Sequence, residues 1–270
     1  MPVIKIYPSG SSVGAGTAPP WAGYVPPKRG TVAGWSPGSS RRLVRFLWSV
    51  NPDALPPVGY AQTLTCGVTP DSAAEWASAR EAYAQRLRRQ GVDFSTWVTE
   101  WTAKGRPHLH LATFGQVSDR ELLMAWLDVA ESHGWQPLAR AQHITPVVDS
   151  TGWLQYVAKH SARGVGNYQR QGAPAGWEKT GRLWGKWGKW PEVEPVEYDV
   201  SDAVFLSYRD QLVSYGCDRL EAAGAPAELI ASVRARFDDP VMGRFLGASG
   251  WIPDTEAARL LSTAVASAES

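Results

Sequence analysis

The sequence predicts an α+β fold of the ferredoxin-like, split βαβ type, with a central antiparallel sheet and helices on one face. Two observations indicate this fold class. Strand-like and helix-like periodicities follow one another from Tyr60 onward in the order strand, helix, strand, strand, helix, strand, helix. A Lys104-Gly105 turn joins the second and third strands into a hairpin. The first strand and the second strand of the hairpin should then be central neighbours.

Each predicted element has boundary signals of its own. Strands are predicted where β-formers stand between turn residues, at 60–66, 94–103, 107–114 and 142–148. Helices are predicted after capping residues: Ser39 or Ser40 before 41–48, Asp71 or Ser72 before a helix to Arg89, Ser118 before 119–132, and Asp149-Ser150-Thr151 before the helix with Tyr156. Three acidic C-terminal helices are predicted at 202–222, 226–238 and 254–267.

Composition divides the chain into three regions. Residues 1–38 form an arm rich in Pro and Gly, 39–190 form the α+β domain, and 191–270 form an acidic helical region. Residues 152–190 carry seven basic side chains and one acidic one, whereas 191–270 carry six and 14. The basic stretch beside Tyr156 favours a polyanionic partner, with a solvated basic loop as the alternative.

The sequence also excludes some classes of protein. It has 270 residues and 44% hydrophobic residues, which is enough for a globular core. It contains no apolar run of about eighteen residues and no secretion signal at its start, so we expect a cytoplasmic protein with no membrane partner. A phosphate-cradling Gly-x-x-x-x-Gly-Lys-Ser/Thr motif is absent, so nothing indicates an ATPase or helicase module.

Two histidines mark a candidate metal site. His108 and His110 alternate with Leu109 and therefore share one face of a strand. A three-residue turn centred on Gly105 would set Glu100 directly opposite His110, which would give two nitrogens and one oxygen for a divalent cation. The alternative is a chance pair of histidines on a half-buried strand.

The Tyr156 helix and the passage after it carry further candidate residues. Tyr156, Lys159 and His160 lie on one side of the helix. Four tryptophans within 177–190 alternate with basic residues, a pattern that we call the basic aromatic platform and that suits stacking on unpaired bases. In the alternative, these indoles pack against the back of the sheet.

With these motifs in this order, residues 60–190 resemble the HUH endonucleases, and within them the rolling-circle replication initiators of plasmids and filamentous phages. The first-strand motif is similar to Thr63-Leu64-Thr65, the metal motif to His108-Leu109-His110, and the nucleophile motif to Tyr156-Val157-Ala158-Lys159. The resemblance implies that His108, His110 and Glu100 bind Mg²⁺ or Mn²⁺, and that Tyr156 is the nucleophile. It further implies that Lys159 binds phosphate and that His160 transfers a proton. The expected DNA-binding residues are Arg163, Arg182, Trp184, Lys186, Trp187 and Lys189.

The function implied by the resemblance is a metal-dependent nickase. It would cleave single-stranded or origin DNA through a 5′-phosphotyrosine and leave a 3′-hydroxyl as a primer for rolling-circle replication. Host helicase and polymerase would be its partners. A transposase with the same residues, or a non-catalytic DNA-binding regulator, remains an alternative. A relaxase is disfavoured because its tyrosine usually lies near the N-terminus.

Overall fold

The chain forms two compact units in the computed structural model, which describes residues 1–15, 30–161, 163–239 and 245–269. The first unit comprises the described residues within 1–26, 45–51 and 192–270, and the second those within 27–44 and 52–191. The second unit contains the predicted sheet and all the predicted site residues.

The described residues form nine strands and seven α-helices. The strands are β1 (Pro2–Tyr7), β2 (Gly10–Ala15), β3 (Val58–Thr65), β4 (Val92–Trp101), β5 (Pro107–Gly115), β6 (His143–Val148), β7 (Trp184–Trp187), β8 (Val196–Asp199) and β9 (Ala248–Gly250). The helices are α1 (Pro37–Ser49), α2 (Ala73–Arg89), α3 (Asp119–Ser132), α4 (Asp149–Ser161), α5 (Asp202–Ala222), α6 (Ala227–Asp238) and α7 (Asp254–Glu269).

The second unit is built on an antiparallel sheet in the order β6-β3-β5-β4-β7. The α+β fold class is confirmed, and so is the central pairing of β3 with β5. The fifth strand, β7, was not predicted, because its sequence Trp-Gly-Lys-Trp is short and contains a glycine. It pairs with β4 and closes that edge of the sheet.

Capping residues set the beginnings of α2, α3 and α4 as predicted. The prediction for α1 is wrong, because this helix begins at Pro37, ahead of Ser39 and Ser40, and the Ser36 hydroxyl accepts from the Ser39 N–H. The Ser72 side chain accepts a hydrogen bond from the Glu75 backbone N–H. Ser118 and Glu121 form a reciprocal capping box at the start of α3. Asp149 adopts a left-handed φ of 65°, and its Oδ1 accepts from the N–H groups of Thr151 and Gly152. This sharp turn carries the chain directly from β6 into α4.

The two faces of the sheet are covered differently. On one face, the Trp76 indole of α2 donates to Thr99 Oγ1 at 3.1 Å, and the Tyr83 hydroxyl donates to Gln62 at 2.6 Å. Trp126 of α3 lies in the same buried cluster. On the other face, the α4 residue Trp153 contacts Phe114 of β5. The prediction that the helices lie on one face of the sheet is therefore correct for α2 and α3, whereas α4 covers the opposite face.

The first unit shows that the predicted N-terminal arm is wrong over residues 2–15. These residues form the hairpin of β1 and β2, and the sheet of this unit has the order β8-β1-β2-β9. Ile4 and Val13 are buried in a cluster with α5 and α7 residues, including Tyr208 and Leu260. The rest of the predicted arm, up to residue 29, lies outside the described residues.

The acidic C-terminal region is likewise not a separate layer of helices. Its three predicted helices are present as α5, α6 and α7. However, β8 and β9 extend the N-terminal hairpin on its two sides, so the two ends of the chain form one unit. None of the described helices is long and apolar enough to cross a membrane.

Candidate active site

The strand register places the predicted metal ligands on one face of the sheet. Directly paired residues of an antiparallel sheet point to the same side. One row across the sheet therefore contains Trp184, Val98, His110, Thr63 and His143. The next row contains Glu100 and His108, so both rows present their polar side chains to the face that α4 covers.

The predicted pairing of Glu100 with His110 is wrong by two residues, because Glu100 pairs with His108. The loop between the strands spans 102–106, which is longer than a three-residue turn. Its Thr102 hydroxyl accepts from the N–H groups of Lys104 and Arg106, and pairing ends at Trp101 and Pro107. Glu100 still reaches His110 diagonally, with 3.4 Å between Oε2 and Nε2.

His110 is a buried, neutral imidazole held by one hydrogen bond. Its Nδ1 lies 3.0 Å from the Thr63 hydroxyl. Its Nε2 is buried and has no hydrogen-bond partner among the described residues. Burial, with the positive charge of Arg163 as a second cause, lowers the pKa of His110 to about 3. When Nδ1–H donates to Thr63, Nε2 presents its free lone pair to the site.

Thr63→Val is expected to weaken Mn²⁺ binding by about 10- to 100-fold, because residues that orient a ligating histidine usually have effects of that size. Valine keeps the shape of threonine but removes the hydroxyl that fixes the His110 ring. Mn²⁺ titration of the folded protein measures the change. Thr65→Val is the matched control on the same strand face, since its hydroxyl accepts from the Gly67 N–H. Equal affinities for the two variants would contradict the expectation.

Glu100 is completely buried and forms ion pairs with two arginines. Arg170 Nε lies 3.2 Å from Oε1, and Arg163 Nη1 contacts Oε2. A buried carboxylate requires such partners, because the desolvation penalty of an unpaired charge is several kcal/mol. Arg163, which was predicted to bind DNA, therefore lies beside the predicted metal ligands, and only 15% of its side chain is exposed.

Tyr156 lies on the same face as the histidines and is buried. Its ring stacks on Trp153 at 5.5 Å and lies 4.4 Å from the His160 ring, measured between centroids. Its hydroxyl has no hydrogen-bond partner among the described residues. Burial, and secondly the charge of Glu100, raise the pKa of the phenol above its ordinary value. A buried hydroxyl without a partner is costly and therefore unusual.

His160 connects Tyr156 to the histidine pair. Its ring lies 5.5 Å from the His110 ring, and its Nδ1 is buried without a partner in the described part of the chain. Lys159 is exposed at the edge of this cluster. The structure thus brings Tyr156, His160, His110 and Glu100 together, with His108 6.1 Å from His110 between ring centroids.

The free energy of unfolding of the metal-free protein should decrease as pH falls below about 6.5, the ordinary pKa of histidine. Burial lowers the pKa of His110 and His160 in the folded state, so the unfolded chain binds more protons in this range. Stability is then fully retained above the unfolded pKa and is lost toward the folded values. Urea titrations between pH 8 and 4.5 measure this. His160→Gln should flatten the dependence, and an unchanged slope would contradict it.

The donor set suits a divalent ion in its chemistry. Two imidazoles held neutral by burial and one carboxylate oxygen lie on the same face of the sheet. The residues that the structure describes contain no ready-made group of three side chains that could hold a metal ion. Arg163 contacts the Glu100 oxygen that faces His110. A metal ion would therefore have to displace Arg163.

The basic aromatic platform is divided between both faces and the core. Trp177 and Trp190 are buried, so their indoles are structural. Trp187 lies on the face opposite the histidines, where the Arg88 guanidinium lies 4.8 Å above its ring. Trp184 is on the histidine face and donates to the Ser39 hydroxyl at 3.1 Å. The predicted cations are exposed on and beside β7, namely Arg182, Lys186 and Lys189.

Sequence reasoning missed two residues of this site. Thr63 stands in the sequence only as part of a motif, although its place directly opposite His110 follows once β3 and β5 are paired. Arg170 gave no signal, because nothing in its surroundings distinguishes it from the other basic residues of that loop. His143 lies exposed on the histidine face and contacts Thr145 at 2.8 Å.

Comparison with known proteins shows similarity over almost the whole chain. It is 36% identical over 269 residues to the replication-associated protein G2P of Pseudomonas phage Pf3, which covers 97% of this chain and 96% of that protein. Two proteins of Xylella fastidiosa whose names assign them to replication are 39% identical in strain 9a5c, over 94% of this chain, and 38% in strain Temecula1, over 93%. No protein-family model and no solved structure matches the chain.

Proposed function

Since the chain belongs to the family of replication-associated proteins that includes G2P of phage Pf3, we propose that it initiates replication by nicking single-stranded DNA with Tyr156. We further propose that the protein is an endonuclease of the HUH type. One observation carries it: buried polar atoms of Tyr156, His160 and His110 lack partners and gather on one face beside Glu100. Unsatisfied buried groups of this kind mark a place where a substrate or ion completes the site.

The proposed reaction is a transesterification. Tyr156 Oη attacks the scissile phosphorus in line, a bond forms between them, and the bond from phosphorus to the 3′ oxygen breaks. The products are a 5′-phosphotyrosine and a free 3′-hydroxyl, because the departing 3′ oxygen takes up a proton from water. The phenolic proton passes to the unpartnered Nδ1 of His160, whose ring is adjacent. Attack therefore does not require a phenolate in the resting protein, where burial disfavours it.

His108, His110 and Glu100 would hold the Mg²⁺ or Mn²⁺ ion. The ion would supply Lewis-acid polarisation of the scissile phosphate and charge stabilisation in the transition state. Lys159 is exposed at the rim and its charge reaches the cluster, since it contributes to lowering the pKa of His110 and His160. We assign Lys159 to binding of a phosphate oxygen as the DNA enters.

We place the DNA strand along the β3 and β6 side of the site. Trp184 and the Ser39 residue of α1 contact each other at the β7 side of the histidine face. On the other side His143 and Thr145 are exposed, and Thr63 and Thr65 are half-buried. Their hydroxyl and imidazole groups suit hydrogen bonds to phosphates and bases. Host helicase and polymerase would then unwind the DNA and extend the 3′ end.

The distribution of charge between the two units supports DNA binding by the second unit. The sequence ranges of the second unit carry 19 basic and 12 acidic side chains, whereas those of the first unit carry eight and 14. A polyanion is therefore attracted to the unit that contains Tyr156.

The substitutions Arg182→Ala and Lys189→Ala, made together, should reduce the salt dependence of binding to single-stranded DNA. Each lost phosphate contact lowers the slope of log affinity against log salt by about 0.7, so the pair should lower it by about 1.4. Fluorescence anisotropy with a labelled oligonucleotide between 50 and 300 mM NaCl measures the slope. Arg236→Ala on α6, an exposed arginine of the first unit, is the control. An unchanged slope in the double variant would remove these residues from the DNA-binding surface.

The proposed function is tested by incubating the protein with a labelled pool of single-stranded oligonucleotides and Mn²⁺. A species that survives denaturation and carries both protein and label is the expected result. Protease digestion of that species should give a labelled peptide containing Tyr156. A labelled pool that binds but never becomes covalently attached would favour the non-catalytic regulator.

A further inference from the structure

Arg170 is a fully buried arginine beside the candidate site. It ends a short 3-10 helix, Tyr168–Arg170, that follows α4, and its side chain has no exposed surface. Moving a guanidinium out of water costs several kcal/mol unless charge and hydrogen bonds compensate it. A buried arginine of this kind therefore indicates that the surrounding groups are arranged to receive it.

The guanidinium of Arg170 joins segments that are distant in the sequence. Nε donates to Glu100 Oε1 at 3.2 Å, and Nη1 donates to the Ser40 hydroxyl at 2.6 Å. Nη1 also contacts the Arg163 carbonyl oxygen, and Nη2 donates to the carbonyl oxygen of His160 at 3.3 Å. One side chain thus ties together α1, β4 and the end of α4.

An aromatic ring completes the surroundings of Arg170. The guanidinium carbon lies 4.3 Å from the centre of the Trp35 ring, a favourable cation–π distance. The Trp35 indole in turn donates to the carbonyl oxygen of Thr99, next to Glu100. The segment around Trp35 and Ser40, which precedes the sheet by at least 18 residues in sequence, therefore supports the carboxylate.

The two oxygens of Glu100 have different partners. Oε1 is held by Arg170, which is completely buried. Oε2 faces His110 at 3.4 Å and contacts Arg163, which is partly exposed. Arg163 is partly exposed and can turn toward solvent, so its contact with Oε2 is exchangeable. Arg170 has no such freedom, so its contact with Oε1 is fixed.

We propose that Arg170 is a positioning residue that holds Glu100 with one oxygen turned toward His110, while Arg163 occupies that oxygen until a divalent cation replaces it. Arg170 also fixes the end of the helix that carries Tyr156 and His160. This inference rests on the proposed function, since it assumes that the cluster binds a cation. It gives two arginines on one carboxylate opposite effects on metal affinity.

Full-length variants titrated with Mn²⁺ in the absence of DNA test the proposal. Arg170→Lys keeps the charge but lacks the planar guanidinium that donates hydrogen bonds to several partners at once, so Mn²⁺ affinity should fall by about 10- to 100-fold. Arg163→Gln removes the competing cation, so Mn²⁺ affinity should rise by about fivefold or more. Free Mn²⁺ measured by electron paramagnetic resonance gives both dissociation constants.

A second set of readouts separates positioning from simple loss of stability. Cleavage by Arg170→Lys should show a reduced rate that recovers in part at high Mn²⁺, with little change in KM for the oligonucleotide. Tyr83→Phe is a matched destabilised control, because it removes a buried hydroxyl bonded to Gln62 on the other face of the sheet. It should lower the melting temperature and leave Mn²⁺ affinity unchanged. Should Arg170→Lys fail to fold, Ser40→Ala replaces it and should weaken Mn²⁺ binding several-fold.

The proposal is overturned if folded Arg170→Lys, or Ser40→Ala in its place, binds Mn²⁺ like the wild type, or if Arg163→Gln binds it more weakly. Either result leaves the proposed function intact when the wild type still forms the covalent adduct. A wild-type protein that binds no Mn²⁺ would overturn the metal assignment and this inference together. The adduct assay would then show independently whether Tyr156 attacks DNA.

Discussion

Tyr156→Phe is expected to abolish the covalent protein–DNA adduct completely. The substitution removes the only oxygen with which the side chain can form a bond to phosphorus, and no transition-state stabilisation elsewhere in the site can replace it. Denaturing electrophoresis of the protein with a labelled oligonucleotide and Mn²⁺ measures the adduct. Binding of the same oligonucleotide should change less than about twofold, because Tyr156 is buried and makes no hydrogen bond among the described residues.

The fold of the variant should be preserved or slightly strengthened. The Tyr156 hydroxyl is buried without a partner in the part of the chain that the structure describes, so its removal abolishes a desolvation penalty. Tyr83→Phe is the matched control, since its hydroxyl is also buried but donates to Gln62 at 2.6 Å, with the Leu122 carbonyl oxygen 3.2 Å away. The free energy of unfolding of Tyr83→Phe should fall by about 1 kcal/mol.

The two tyrosine variants therefore separate chemistry from stability. Tyr156→Phe should be stable and inactive, whereas Tyr83→Phe should be less stable and form the adduct. A full yield of adduct from Tyr156→Phe would assign the nucleophile to another residue. Loss of the adduct in both variants would show that the assay reports folding and not the chemistry of Tyr156.

The parts of the site that were predictable share one property, which is that their signals are local. His108 and His110 face the same side because strand side chains alternate, and Tyr156 and His160 lie on one side of a helix because of its 3.6-residue period. Capping residues gave the start of that helix at Asp149. These rules required no knowledge of which segments meet in space.

The parts that were not predictable depend on contacts between distant residues. The Arg170 network joins Ser40, Glu100 and His160, which are 130, 70 and 10 residues away, and no periodicity records such contacts. The hairpin register depended on Thr102, whose two side-chain hydrogen bonds widen the loop. Strand β2 has the sequence Gly-Ser-Ser-Val-Gly-Ala, a poor strand former, and is stabilised by its neighbours β1 and β9.

Glu100 interacts both with residues that the sequence predicted and with residues that it did not. The carboxylate belongs to the predicted set, whereas Arg170 does not, and Arg163 was predicted to bind DNA and not to pair with Glu100. A cation site read from sequence alone would therefore be assigned too high an affinity, since a metal ion must displace Arg163 and not merely enter an empty space. The histidine pair is the part of the site that a substitution can remove without disturbing these ion pairs.

His108→Ala is expected to reduce the rate of cleavage by about 100- to 1,000-fold at a fixed, moderate Mn²⁺ concentration. Lewis-acid stabilisation by a bound ion contributes several kcal/mol, and each 1.4 kcal/mol corresponds to about tenfold in rate. His108 suits this test better than His110, because it is half-buried and its removal leaves the bond between His110 and Thr63 intact. Single-turnover cleavage of a labelled oligonucleotide measures the rate.

The same variant should bind Mn²⁺ at least tenfold more weakly, since one of the two proposed imidazole ligands is lost. His133→Ala, at the C-terminal cap of α3, is the control for the substitution itself and should leave both measurements unchanged. A high concentration of Mn²⁺ should restore part of the cleavage by His108→Ala, because its effect on rate arises through metal occupancy. If cleavage falls while Mn²⁺ affinity stays at the wild-type value, His108 acts on the DNA directly, and the ion is bound by other groups.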